Sequence, residues 1–465
     1  MTLNKYLLLS ITCSLSYPVL FSIVYDVTLG VMLCSLIHAF CSAVVIYRVV
    51  SRLLLKRSSN ISMATMFILI NLLYFSASSV KYFEPELYPG FIDNNALRLI
   101  YSLLALIVLW VSFEIIIRMK TRYKYANFTI HNGLFLRVTI IIILFFICLN
   151  IVDLYQKGFG YAYFSDLDPV KVIEYTSLPT MEKIRMWLMD CINVVLVLLL
   201  ALHFGKKGSR RLIVMAIAAV FILSLFSGGR STIFYFFFGM AFSLVYLYGF
   251  GKTFLARVFL AAPLIVCIGS VLILSVSGRI VFGNSEQIKH QFAYRFDLTD
   301  YAATLIHANN PIACNYQIVG DAIYYSVPKV FYPGKYDANR KIVLEQLSNT
   351  NLGELKDYTD TFFSIGAQLG GIIGFLFIPF LMVLFLYTLE QFFYRSFGLS
   401  SNFIIVIMYP LYLTVETDLN SLFAGWRMLP LYILFGMVFY WLFTKRYVLF
   451  RNGRVKKELA PTPIK

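Results

Sequence analysis

Apolar runs of about 20 residues recur along this chain, each long enough to cross about 30 Å of hydrocarbon as a helix, and that recurrence leaves few folds open. Twelve are predicted, roughly over 6–24, 28–48, 63–82, 97–117, 136–155, 186–204, 211–228, 232–250, 256–276, 364–390, 402–417 and 428–444. Inside a bilayer every backbone N–H and C=O must be satisfied within its own segment, so the expected fold class is an all-α polytopic membrane protein. Composition closes the alternatives: 59 % hydrophobic and 14 % charged residues are too apolar for a water-soluble enzyme or a disordered chain. With 26 Gly and 14 Pro in 465 residues, a collagen-like fibre is excluded as well.

Charge sets the expected orientation. Lys and Arg gather in alternate connections: Arg48 to Arg57, Arg118 to Arg137, Lys206 to Arg211, Lys252 with Arg257, and the tail from Lys445. The positive-inside rule makes these cytoplasmic, and the acidic connections with Asp26, Glu84, Glu86, Asp93, Asp153, Asp166 and Asp168 outward. Twelve crossings then put both termini in the cytoplasm. The net charge of +16 is accounted for by these connections, which meet anionic lipid, and no nucleic-acid recognition motif accompanies it. Six of the seven cysteines fall in apolar runs, and there is neither a disulfide framework nor a CxxC metal pattern. No metal or cofactor is expected.

The chain divides into helices 1–9 (1–276), a large outward loop (277–363), helices 10–12 (364–444) and a basic tail (445–465). A connection this long is more than a link, and chemistry on a rigid scaffold is found disproportionately in such loops. Its first third, Glu286 to Asn309, reads as an amphipathic helix. Candidate acids and bases on the outer face are His290, Asp297, Asp300, His307, Asp321, Glu354, Asp357 and Asp360, and Asp300 and His307 are the catalytic candidates. The plain alternative for most of these is a solvated loop residue. His38 and His203 read as packing residues.

Arg230 lies in Ser227-Gly228-Gly229-Arg230-Ser231-Thr232, a short outward turn between two spans. Two glycines allow close backbone approach, the next helix opens with free N–H groups, and a guanidinium can fork onto phosphate oxygens. The competing reading is a snorkelling side chain. Arg279, Arg295 and Arg427 are predicted on the same face, where four cations could converge on a diphosphate; alternatively Arg295 pairs with Asp297 or Asp300, and Arg427 with Glu416 or Asp418. Tyr332 and its aromatic neighbours suit sugar rings or a membrane interface equally. Gly366, Gly370 and Gly374, four apart, read as a surface for close helix packing.

With these residues in place, the chain resembles the bacterial O-antigen and exopolysaccharide repeat-unit polymerases of the Wzy type. The resemblance is carried by Ser227-Gly228-Gly229-Arg230-Ser231, Arg295, Val327-Pro328-Lys329, Tyr332-Pro333-Gly334-Lys335, Asp360-Thr361 and the glycine-rich helix after Ile365. It implies a GT-C-like membrane glycosyltransferase that joins undecaprenyl-diphosphate-linked oligosaccharide repeats at the periplasmic face of the inner membrane. Arg230, Arg279, Arg295, Arg427, Tyr332 and Lys335 would bind substrate, no metal would be needed, and a chain-length regulator protein is an expected partner. An O-antigen ligase would use the same donor. A lipid-linked oligosaccharide transporter or flippase would place broken helices and charges near the membrane midplane.

Overall fold

The computed structural model describes residues 27–55, 61–83, 94–119, 132–157, 180–205, 218–220, 230–248, 297–307, 361–413 and 419–444, with scattered positions in 8–22, 319–323 and at 415. Every described element is helical. In chain order they are α1 (Leu29–Leu55), α2 (Met63–Ala77, continued by a 3-10 turn Ser78–Phe83), α3 (Asn95–Arg118), α4 (Asn132–Lys157), α5 (Thr180–Gly205), α6 (Arg230–Tyr248), α7 (Asp300–His307), α8 (Phe362–Phe397), α9 (Ser401–Ile407), α10 (Tyr409–Tyr412), α11 (Leu419–Trp426) and α12 (Leu429–Thr444). Five stretches are long and apolar enough to cross a membrane: Leu29–Leu53, Met63–Phe83, Asn95–Arg118, Phe135–Val152 and Phe362–Ile407. Three shorter apolar helices, Cys191–His203, Phe238–Leu247 and Leu429–Phe443, accompany them. The expected spans 211–228 and 256–276 lie largely or wholly outside the described residues.

Two groups of helices pack side by side. In the first, α1, α3 and α8 surround α2, with α7 laid against α3 and α8; in the second, α5 packs between α4 and α6, and α9 joins α12 to α6. The most apolar window of Met63–Phe83 is 94 % buried, whereas that of Phe135–Val152 is only 17 % buried, so α2 is the spine and α4 the periphery. Leu33, Phe40, Ile107, Trp110, Ile141, Leu144, Phe377 and Trp441 point outward from their helices. Outward apolar side chains in such numbers are costly in water and ordinary against lipid tails.

Capping explains several boundaries. Ser62 and Thr65 form a reciprocal capping box that starts α2, Asn94 accepts from two N–H groups of α3, and Thr361 with Ser364 repeats the box at α8. Among the described residues the predicted span 402–417 is instead two short pieces, because Pro410 has no N–H to continue the ladder from α9. Of the predicted helix Glu286–Asn309, residues 286–296 and 308–309 lie outside the described residues, 297–299 are not helical, and Asp300–His307 is helix. Asp297 accepts from the N–H groups of Thr299, Asp300 and Tyr301, at 3.0, 2.8 and 3.0 Å, and so fixes a helix start there.

The glycine-rich stretch differs most from expectation. Gly370 and Gly371 have non-helical dihedrals, and Gly371 has φ +55° with ψ −136°, a conformation open only to glycine. The chain reverses here. Gly366 and Gly374, which a straight helix would hold about 12 Å apart, are so close that a Cβ on either would overlap the carbonyl of the other. Gly366 and Gly374 do serve close packing, but between two arms of one folded-back segment, with Phe363 against Phe375 at 5.1 Å between ring centroids, whereas Gly370 meets nothing within 4 Å and lies at the break.

Candidate functional site

Near the ends of α2 and α3, two cations and two carboxylates are sealed inside the protein. Lys81, Asp297 and Asp300 have 0 % side-chain exposure and Arg98 1 %. Lys81 Nζ bonds Asp300 Oδ1 and donates to Thr299 Oγ1 at 2.7 Å, with Asp297 Oδ1 at 3.8 Å. Arg98 Nε donates to the other oxygen, Asp300 Oδ2, at 2.7 Å, while Nη2 donates to the Lys81 carbonyl at 2.7 Å and Nη1 to Asn95 Oδ1 at 3.0 Å. Both cations also lie 5.5 Å from the centroid of the Tyr82 ring. Two positive and two negative charges cancel, which is the condition for holding ions away from water.

This cluster pins the chain leading into α7 to the spine. Thr361 Oγ1 adds a bond to the Leu298 carbonyl at 3.0 Å, tying in the start of α8. Beneath the cluster, His38 Nε2 lies 2.8 Å from the Phe75 carbonyl and Nδ1 3.1 Å from Tyr82 Oη. A carbonyl can only accept, so the imidazole carries its proton on Nε2, and the Tyr82 hydroxyl lies between His38 Nδ1 and Ser102 Oγ. The packing role expected of His38 stands. His203, bonded to Thr139 and stacked on Phe135, also packs as expected.

Two sequence expectations change here. Asp297 and Asp300 are buried, not solvated, and the partners of Asp300 are Lys81 and Arg98. Burial alone would push the Asp300 carboxyl up, but the ammonium and guanidinium bonded to it prevail and hold it below the usual carboxylate range. With both oxygens occupied by cations, Asp300 is a poor proton acceptor; its part is that of a tether.

His307 is different. It closes α7 at an exposed position, with Nε2 2.8 Å from Tyr101 Oη and its ring edge-on to the Tyr101 ring at 5.5 Å. In the tautomer with the proton on Nε2, the ring donates to Tyr101 and leaves the Nδ1 lone pair free to accept a proton. The tether thus holds a histidine whose Nε2 meets the Tyr101 hydroxyl.

Of the substrate-binding candidates, Arg427 is exposed on the turn between α11 and α12, and Arg230 is the first residue of α6. Arg279, Arg295, Tyr332 and Lys335 lie outside the described residues. Lys81 and Arg98 were missed by the sequence reading, although each lies inside a predicted apolar run, where an ionisable side chain demands a partner. Among the described residues no group of three or more His, Cys, Asp and Glu side chains is placed to hold a metal. No family model, curated protein or solved structure matches this chain, so its site is read from its own chemistry.

Proposed function

We propose that this protein is a repeat-unit polymerase: a GT-C-like membrane glycosyltransferase of twelve spans, with both termini cytoplasmic. It would transfer a growing glycan from undecaprenyl diphosphate to a sugar hydroxyl of an incoming lipid-linked repeat, at the periplasmic face of the bacterial inner membrane. The observation that carries the reading is His307, held against Tyr101 on a helix that the Lys81–Asp300–Arg98 tether anchors to the spine. A base fixed this way suits an acceptor hydroxyl delivered along the membrane surface, since much of the barrier is removed by positioning two tethered reactants. As the new C–O bond forms, the acceptor proton passes to His307 Nδ1, and the bond from the anomeric carbon to the carrier breaks with its electron pair leaving on the diphosphate. Arg230, Arg279, Arg295 and Arg427 are proposed to neutralise that leaving group, with Tyr332 and Lys335 on the glycan.

One observation favours a second reading. The break at Gly370–Gly371 makes α8 discontinuous, a feature of transporters, whose half-helices line a substrate cavity. Here the two arms meet backbone to backbone at Gly366 and Gly374, and the buried ions are mutually satisfied, so the break supports a closed structural hairpin better than a transport path.

The test is the length distribution of surface polysaccharide in a deletion strain carrying the wild-type protein, His307→Gln or Arg230→Ala. The wild type restores a ladder, and both variants, at normal membrane levels, give a single-repeat band. Deletion that removes even the single-repeat band from the lipid core points to a ligase or a flippase instead.

A further inference from the structure

Three helices around the spine end together, and their last arginines face away from the protein. α3 stands between α1 and α8, and all three pack on α2. Ser35 and His38 of α1 bond the carbonyls of Ser79 and Phe75, so α1 runs antiparallel to α2. Arg98, near the start of α3, bonds the Lys81 carbonyl, and Glu390, near the end of α8, accepts the Met63 N–H. The ends of α1, α3 and α8 therefore lie side by side at the Met63 end of the spine.

Arginines complete the outward stripes of these helices at helical spacing. On α1, Leu33, Ile37 and Phe40 lead to Arg48 and Arg52; on α3, Ile107 and Val111 lead to Arg118; on α8, Phe385 and Phe392 lead to Arg395. All four arginines are exposed, Arg118 to 79 % of its side chain. Along the α3 axis Arg118 lies about 30 Å from Arg98, the thickness of a hydrocarbon layer, and along α8 Arg395 lies about 8 Å beyond Glu390. The guanidinium groups thus emerge where lipid tails give way to head groups, with their stems along apolar surface.

The charge of this rim is uncompensated. Its described acids are Glu114, 3.9 Å from Arg118, and Glu390, which has no exposed surface. Among the described residues no ion pair involves Arg48, Arg52 or Arg395. The other end of the same helices is built in the opposite way, with Lys81 and Arg98 sealed inside and cancelled by Asp297 and Asp300. A guanidinium forks onto two phosphate oxygens, and several of them spread along one outward arc suit phosphodiester head groups lying side by side better than one compact anion. A zwitterionic head group brings its own cation to the phosphate, so net negative charge is the selecting property.

We infer that the ends of α1, α3 and α8 form a binding arc for anionic phospholipid, in which Arg52, Arg118 and Arg395 take successive head-group phosphates and Arg48 reaches to the same level from one turn deeper. The arc belongs to the helices themselves and faces the bilayer, so the lipids it holds stay with the protein when the membrane is dissolved. This inference is independent of the glycosyl-transfer reading and holds equally for a transporter.

The experiment uses the full-length protein in an uncharged detergent, with phosphatidylglycerol, phosphatidylcholine of the same chains, and inorganic phosphate as probes. Native mass spectrometry counts the lipids retained, and thermal unfolding reads their effect. Phosphatidylglycerol is expected to stay bound and to raise the unfolding temperature; phosphatidylcholine and inorganic phosphate are expected to do neither. A triple variant, Arg52→Gln with Arg118→Gln and Arg395→Gln, changes only exposed side chains and is expected to unfold as the wild type does without lipid. It should bind phosphatidylglycerol at least about tenfold more weakly, since each arginine near an anionic surface contributes about fivefold. The matching lysine variant should keep the preference for phosphatidylglycerol. Equal retention of the two lipids by the wild type overturns the inference, as does a glutamine variant that binds phosphatidylglycerol as tightly as the wild type. Stabilisation by inorganic phosphate equal to that by phosphatidylglycerol would assign the arginines to a soluble anion and overturn it as well.

Discussion

Two polar clusters are buried at opposite ends of the spine helix α2, about 27 Å apart at 1.5 Å per residue from Met63 to Lys81, and they tolerate burial by different means. At one end Lys81 and Arg98 face Asp297 and Asp300, so full charges are kept and cancelled. At the other, Glu390 meets a backbone N–H and a phenol, and among the described residues no cation pairs with it. The first arrangement is strong but unforgiving, since removing one member leaves an unpaired ion indoors. The second holds its carboxyl with neutral donors and so is expected to tolerate a neutral replacement. The exposed His307 hangs from the first kind, where its position is insulated from pH changes near neutrality.

The sharpest way to break this contrast is Asp300→Ala. It leaves two cations facing one carboxylate, and a loss of about 3–5 kcal/mol is expected in thermal unfolding of the solubilised protein. A loss below about 1 kcal/mol would mean that water reaches the cluster and that the charges are not truly sealed. Next is Gly366→Ala, where the new Cβ must push the two arms of α8 apart; about 1–3 kcal/mol is expected by the same assay. Retained stability would show that the hairpin opens freely.

Acid sharpens the comparison from the other direction. The Asp300 carboxyl is held below its ordinary range, so its contribution is fully present at neutral pH and is lost as pH falls below the usual carboxylate values near 4. A stability profile measured downward from about pH 7 should fall there in the wild type and be flatter in Asp300→Asn, which starts lower. Smaller still is the effect of Glu390→Gln, which keeps an oxygen to accept the Met63 N–H and is expected to cost less than about 1 kcal/mol at neutral pH. A cost comparable to that of Asp300→Ala would erase the distinction between the two ends.

The sequence made part of this legible. The helices at 29–55, 63–83, 95–118 and 132–157 follow from length and apolarity alone, which is why the predicted windows at 28–48, 63–82, 97–117 and 136–155 fall on them. Lys81 and Arg98 were visible as ions within two of those windows, but their partner Asp300 is 219 and 202 residues away, a distance that no local pattern bridges. Gly366, Gly370 and Gly374 advertised close approach, while the adjacent pair Gly370–Gly371 was the overlooked sign that the chain turns back on itself. Glu390 gave no hint of its network, because Tyr246 and the Met63 N–H meet it only through tertiary packing.

The most direct test of the central claim is reconstitution of the purified protein in liposomes with undecaprenyl-diphosphate-linked repeats on one face, following glycan length and carrier release. The wild type should lengthen the glycan and release undecaprenyl diphosphate. His307→Gln should fold and bind substrate as the wild type does, yet lengthen glycans far more slowly. If repeats instead cross the bilayer unchanged in length, or if His307→Gln polymerises at the wild-type rate, the assignment of a tethered base to glycosyl transfer is contradicted.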